Sequence, residues 1–596
     1  MARAKAFGYS CVLLCVSLAA AQTHPKHVGV VLDWTYHHLA VSGGRTSQNL
    51  YSAKAEPRML FHMPGQIEVQ QPERQFPVPP LALQPRIDGS NTQVRRNIKF
   101  DWSVNLGGGN VAANMFPAKY QFAANGVPSC ANDYVVYALN VASANNQANL
   151  VGINNLYSGT GGICGANPTV TWGYRGSTAG GAVRTSPVIS LDGKKIAYVE
   201  SSAGSATFHI LTWRAGQGTV TAPVVPTLPN ACTATTSCLL SVTFSASATT
   251  TFASPWVDYQ TDKGFVASDD GKVYRISCVF TCGLNSNPTV DWTFTLPVAG
   301  TGGAQPQPTG PVYNSPYGYL TIGDQLGEVW VINTLATPPV LFAGPVMIGG
   351  GGCTVTNPPG RTGTPSPCTA NGPGYGIPDP VILDNSGQAE KIFVFTGNDG
   401  TVGASATVAQ MNLDLTGLVR VHVGQGRVDM HSGTFDNNYF GSNPSAGELF
   451  LCGTGQADTT PTHYWIGFTN YPTMNSTFTG NLQRINAAGV QCVPYTEFYN
   501  PNINLGGVAG HHDLLVSGLV AAGTNGYIIT NDISTGAITA GLNNVNYPGG
   551  ISGVVIDNYS NMGQNSNVYF STLGTVNVGT CNNQRCAVKL SQAALQ

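Results

Sequence analysis

Charge is what this sequence has least of. Only 9% of its 596 residues are Asp, Glu, Lys or Arg, with 27 basic side chains against 29 acidic ones. That balance supplies no basic stripe to neutralise phosphates, which excludes nucleic acid and anionic membrane surfaces as partners. Long apolar runs are scarce too: no stretch of about 20 apolar residues is present, so membrane insertion is not expected. Helical periodicity is missing along the chain, which argues against α/β folds. Short catalytic signatures are also absent, with no GxSxG elbow, Walker loop, HExxH helix or CxxCH haem site.

What is present begins with export. Arg3 and Lys5 precede the apolar run CVLLCVSLAAA, which ends at Ala21. A positive flank, a short apolar core and a small-residue exit make residues 1–21 a secretory signal peptide. Leu14 rather than a small residue precedes Cys15, against a lipid-anchored terminus. The expectation is a secreted or periplasmic/extracellular protein. Without Arg3 and Lys5 the basic count falls from 27 to 25 against 29 acidic, a mature charge of about −4.

Of 14 cysteines, 12 lie beyond the signal. They fall into close neighbours: Cys130/Cys164, Cys232/Cys238, Cys278/Cys282, Cys353/Cys368, Cys452/Cys492 and Cys581/Cys586. An even count in an exported chain reads as disulfides; spacing alone leaves connectivity open, and neighbour pairing is the expectation. CVFTC and CNNQRC have ligand-like spacing, but neither has a His or second Cys pair nearby to complete four ligands. No metal site is assigned.

A unit of short strands and Gly/Asp/Asn turns recurs from about residue 111. Examples are SPVISLDGKKIAYVES (186–201), SPWVDYQTDKGFVASDDGKVYRIS (254–277) and GPVYNSPYGYLTIGDQLGEVWVIN (310–333). The turns supply residues that tolerate positive φ, and the strands are rich in Val, Ile, Tyr, Phe and Trp. Eight copies at this spacing predict an all-β chain: a single β-propeller of eight four-stranded blades. Seven blades is the alternative, with copy seven (511–536) read as a hairpin insertion.

FDWSVNL (100–106) resembles the outer strands TVTWGYRG and TVDWTFTL, yet almost nothing strand-rich precedes it. The final copy, ending CAVKLSQAALQ, stops one strand short. The early strand is expected to complete that last blade, closing the ring and hiding a bare sheet edge. Residues 97–596 then form the propeller and 22–96 an N-terminal extension. Within the extension VGVVLDWTYHHLAVSG reads as a strand or hairpin, and the Pro-rich QPERQFPVPPLALQP as an extended segment along the propeller surface.

DKGFVASDDGKVYRIS and GYLTIGDQLGEVWVIN resemble repeats of the quinoprotein-like propeller superfamily, and SPVISLDGKKIAYVES resembles the TolB-like repeat. The whole chain is similar to uncharacterised secreted bacterial propellers. The quinoprotein resemblance would imply a quinone held between a tryptophan and, in many members, a vicinal disulfide, beside calcium and a catalytic Asp. No Cys-Cys dipeptide occurs here and no residue set matches that site, so no cofactor is expected.

Candidate chemistry is thin. His37-His38 and His511-His512-Asp513 contain ligand-type side chains, but neighbours on a strand face opposite ways. A glycosidase needs two converging carboxylates, and Asp258, Asp379, Asp384, Glu497 and Asp557 lie on or near inner strands. No catalytic residue is assigned among them. The expected role is a non-catalytic scaffold for an unknown glycan, protein or small-molecule ligand. A propeller enzyme with its site in the central funnel, a quinone-dependent oxidoreductase or a carbohydrate-active hydrolase or lyase, is the alternative.

Overall fold

The computed structural model describes residues 29–43 and 98–592, apart from loops within the latter, of which 350–374 is the longest. The Pro-rich segment 71–85 lies outside the described residues.

Inner strands start the pattern. SPVIS (186–190), SPWVD (254–258), GPVYN (310–314) and GVVID (553–557) share a small or Pro-bearing entry, an apolar pair and a polar exit. Proline is tolerated there because the first residue of a strand need not donate to the ladder. At the turn between the second and third strands, Gly271 (φ +74°) and Gly327 (φ +88°) take the left-handed conformation that favours glycine. Each inner strand therefore leads into an antiparallel meander, and eight meanders follow in order. They span 118–174, 188–245, 256–295, 312–347, 382–425, 434–483, 496–546 and 555–592, here blades 1 to 8.

The protein is an eight-bladed β-propeller of four-stranded sheets. Copy seven is a blade rather than an insertion. Its inner edge is broken into Gln491–Cys492 and Thr496–Asn500, both paired to His512–Val520. That break, with a small hairpin at 504–509, is why its repeat looks degenerate.

Closure occurs as the outer-strand likeness predicts. Ile98–Asn105 pairs antiparallel with Cys586–Gln592, the third strand of blade 8. A register shift between Phe100 and Trp102 leaves Asp101 at a bulge, and its carboxylate sits 3.2 Å from Lys589 Nζ with both side chains fully buried. The neighbouring Trp102 donates its Nε1 to Leu156 O of blade 1 at 3.0 Å and tilts against Tyr569. The closing strand thus locks to its own blade and to the next.

Five neighbour pairs are disulfides: Cys130–Cys164, Cys232–Cys238, Cys278–Cys282, Cys452–Cys492 and Cys581–Cys586. Cys353 and Cys368 lie outside the described residues. Cys452–Cys492 joins the second strand of blade 6 to the inner edge of blade 7. By loop-closure entropy a bridge closing a separation of 40 residues contributes on the order of 4 kcal/mol.

Candidate functional site

The channel at the ring's centre is where inner-strand edges and candidate carboxylates meet. It is filled by the chain's own residues 29–43. Val30–Leu32 adds antiparallel to the inner strand of blade 1, pairing Val30 with Gln121 and Leu32 with Lys119. Leu39–Ala40 adds in parallel to the inner strand of blade 5, pairing with Leu383 and Asp384. The strand reading of this stretch therefore holds. The hairpin reading does not, because each strand serves a different blade and a 3-10 turn, Trp34–His37, lies between them.

Local chemistry makes that turn. Asp33 caps it, accepting from Thr35 N at 2.9 Å and Thr35 Oγ1 at 2.6 Å. The turn presents Trp34, 1% exposed, edge-on to Trp256 of blade 3 at 5.8 Å, with its Nε1 donating to Pro255 O at 3.2 Å. Glycine gives the ring room opposite: a Cβ on Gly310 would lie a tight 3.1 Å from the Trp34 ring. His37 stacks on Phe116 at 4.4 Å and His38 tilts on Trp34 at 5.4 Å. Burial pushes the His38 pKa down to about 4, so its ring is neutral at ordinary pH. The pair His37-His38 is packing, not coordination.

Beside this plug remains a narrow cleft of about 50 Å³. Plug residues Leu32, Asp33, Tyr36, His37 and Leu39 form one wall; Phe435, Phe440, Glu497, Phe498 and Ile556 of blades 6 to 8 form the other. Of the five proposed carboxylates only Glu497 lines it. Its Oε1 is sealed from solvent although the residue is half-buried. Burial first, then the charges of Asp513 and Asp436, push its carboxyl well above the usual range. Asp513 is pushed up to about 7, mainly by burial, and shares a hydrogen bond with Glu497. Asp436 is pushed up to about 6 by burial. One proton is therefore held between acids at neutral pH.

The other proposed carboxylates are engaged separately. Asp258 ends the inner strand of blade 3 and accepts from Thr261 Oγ1, Gln260 N and Ser315 Oγ. Asp384 accepts from Ser42 N and Oγ, Tyr439 OH and Ser386 N. Asp379 accepts from His431 Nδ1 and Ser432 N, each at 2.8 Å. Burial opposes its ionisation, but His431 and the hydrogen bonds hold its carboxyl below the usual range. Asp557 pairs with Lys119 of blade 1 at 2.5 Å. Asp258, Asp384 and Asp557 lie on the inner strands of blades 3, 5 and 8, and Asp379 just before that of blade 5, each bonded to its own partners. The His511 backbone and the His511 and His512 side chains lie outside the described residues; Asp513 is the described member of that cluster. Among the described residues no group of three or more His, Cys, Asp or Glu is arranged to hold a metal.

Sequence reasoning missed Asp436 and His431, and weighed Asp513 only as part of a ligand-type cluster to which no metal site was assigned. Asp436 was within reach: GTFD (433–436) ends like SPWVD and GVVID, so alignment of inner strands marks it. His431 carries no such signal.

A titration follows from the acid cluster. Unfolded, Glu497 and Asp513 ionise near pH 4; folded, they keep a proton to higher pH, about 7 for Asp513. The folded state binds more protons between those limits, so stability falls as pH rises from about 4 towards about 7. Glu497→Gln is expected to flatten that slope and raise Tm at pH 8, read by thermal unfolding between pH 5 and 8. An unchanged slope would mean the acids are solvated.

Ring closure and strand order define the class: an eight-bladed β-propeller with an occupied channel. No family model matches the chain, and no curated protein matches it. Solved structures similar to it include Sqt1 of Saccharomyces cerevisiae, with TM-score 0.43 and 9% identity over 83% of this chain and 99% of that one. The C-terminal WD40 domain of Sif2 gives TM-score 0.39 and 10% identity, over 82% and 98%. The dihydro-heme d1 dehydrogenase NirN gives 0.35 and 10%, over 79% and 77%. These are likenesses of architecture, and no function passes through them.

Proposed function

We propose that the protein is an exported, disulfide-stapled β-propeller that binds a ligand outside the cytoplasm and does not convert it. In this reading residues 1–21 are removed, 22–96 form an extension of the propeller at 97–596, and the chain is a secreted bacterial relative of quinoprotein-like and TolB-like propellers. The observation that carries it is the filled channel. Trp34 and its flanking strands occupy the volume where a funnel enzyme would seat its substrate or quinone. Two things support export: the apolar leader ending at Ala21 and the disulfides.

The test uses the full exported chain, whose N-terminal sequence should begin at Gln22. It is offered to a polysaccharide panel, and separately to alcohols and sugars with added quinone, calcium and a redox dye. Saturable retention on a polysaccharide without new product or dye reduction is the expected result. Turnover in either assay would overturn the reading.

A further inference from the structure

The inner edge of a propeller blade presents a row of backbone N–H and C=O groups to the channel, and such an edge accepts any extended segment that can reach it. Here two edges are used, by the same short loop, in opposite senses: antiparallel on blade 1 and parallel on blade 5. The loop enters and leaves on one side of the ring. Gly29 N donates to Leu191 O and Gly43 N to Tyr439 O, and both acceptors lie just beyond the exit ends of inner strands. The Trp34 tip reaches the opposite, entry side at Pro255. A loop with both ends on one side can slide out without threading the ring or breaking its closure.

Its fixings are those of a seated ligand. One aromatic anchor fills a slot shaped by Trp256 and Gly310, and one hydroxyl, Ser42 Oγ, donates to Asp384, beside the 2.7 Å contact it makes with Tyr471 OH. We propose that the channel is a receptor site for an extended polypeptide, held in this chain by its own residues 29–43 and open to a partner's extended segment of like chemistry when that loop withdraws. The partner segment is defined by the sockets: an apolar strand, then Asp-Trp, then an apolar pair about five residues on and a hydroxyl after it. This deepens the binding-scaffold reading and rests on it.

The experiment keeps the whole chain. A site-specific protease sequence is placed between residues 44 and 97, and the purified protein is cut so that the loop is held by the channel alone. Fluorescent peptide of residues 28–43 is then added and anisotropy recorded. Saturable binding with matching release of the cut fragment is expected. The uncut chain should bind at least about 100-fold more weakly, because its tethered loop competes at millimolar effective concentration. A Trp34→Ala peptide should also lose about 100-fold. Three results would overturn the proposal: unfolding of the cut chain by circular dichroism, failure of excess peptide to exchange, or equal binding by the Trp34→Ala peptide. None would touch the scaffold reading, which is measured on the uncut chain's retention of polysaccharide.

Discussion

Lys119→Met is expected to destabilise the propeller by about 3–5 kcal/mol, because it removes the buried cation paired with Asp557 and leaves Lys589 as the other positive charge acting on that carboxylate. Lys119 is in the inner strand of blade 1 and Asp557 in that of blade 8, so their 2.5 Å pair crosses the junction where the ring closes. Both side chains are almost fully buried, and Gln121 Oε1 takes a second hydrogen bond from the ammonium at 3.3 Å. Tyr157 lies under the same group at 5.6 Å and donates to Asp133 at 2.5 Å. Burial raises the Asp133 pKa, and Lys119 is the leading influence against it. In the variant, Asp133 should take up a proton more readily. The deficit should therefore shrink as pH falls towards 5 and grow as it rises, since the folded state then binds the more protons.

The double variant Lys119→Met/Asp557→Asn separates charge from packing. It should recover part of the loss, with a coupling of about 0.5–3 kcal/mol in the cycle. Denaturant midpoints measure both. A neutral single variant would show that apolar packing alone holds the junction.

Trp34→Ala should have an effect of similar size but a different reach. Truncating a buried Trp costs about 3–5 kcal/mol, from lost contacts and the cavity left behind. Here the loss falls on a loop held by strands of three and two residues, so the plug should open while the blades persist. Hydrogen exchange is the readout. Amide protection in Val30–Leu32 and Leu39–Ala40 is expected to drop by about two to three orders of magnitude, with the central strands of blade 3 nearly unchanged. Equal loss in blade 3 would make the plug part of the common core.

The blades were legible because several repeat a local pattern: a small or Pro-bearing entry, an apolar pair, a polar exit, and in blades 3 and 4 a turn with a left-handed glycine such as Gly271. Closure was legible for the same reason, since FDWSVNL carries the Trp-bearing outer-strand signature of TVTWGYRG and TVDWTFTL. The plug was legible only as a strand. Its β-prone residues say that VVLDWTYHHLAV can pair, but not with which edge; the choice of blades 1 and 5 rests on shapes built by residues as distant as Gly310 and Asp384. Burial of charge was hidden altogether. Nothing near Lys119 or Lys589 marks them as interior, because the partners that make burial tolerable, Asp557 and Asp101, lie more than 400 residues away along the chain.

The pairing of Ile98 with Gln592 carries a consequence in time. A ribosome working at about 5–20 residues per second needs roughly 25–100 s to travel between them. Throughout that interval the closing strand Ile98–Asn105 has no partner, and blade 8 is incomplete. The ring can therefore close only once residue 592 has been made, and until then the chain is open, its two halves yet to meet.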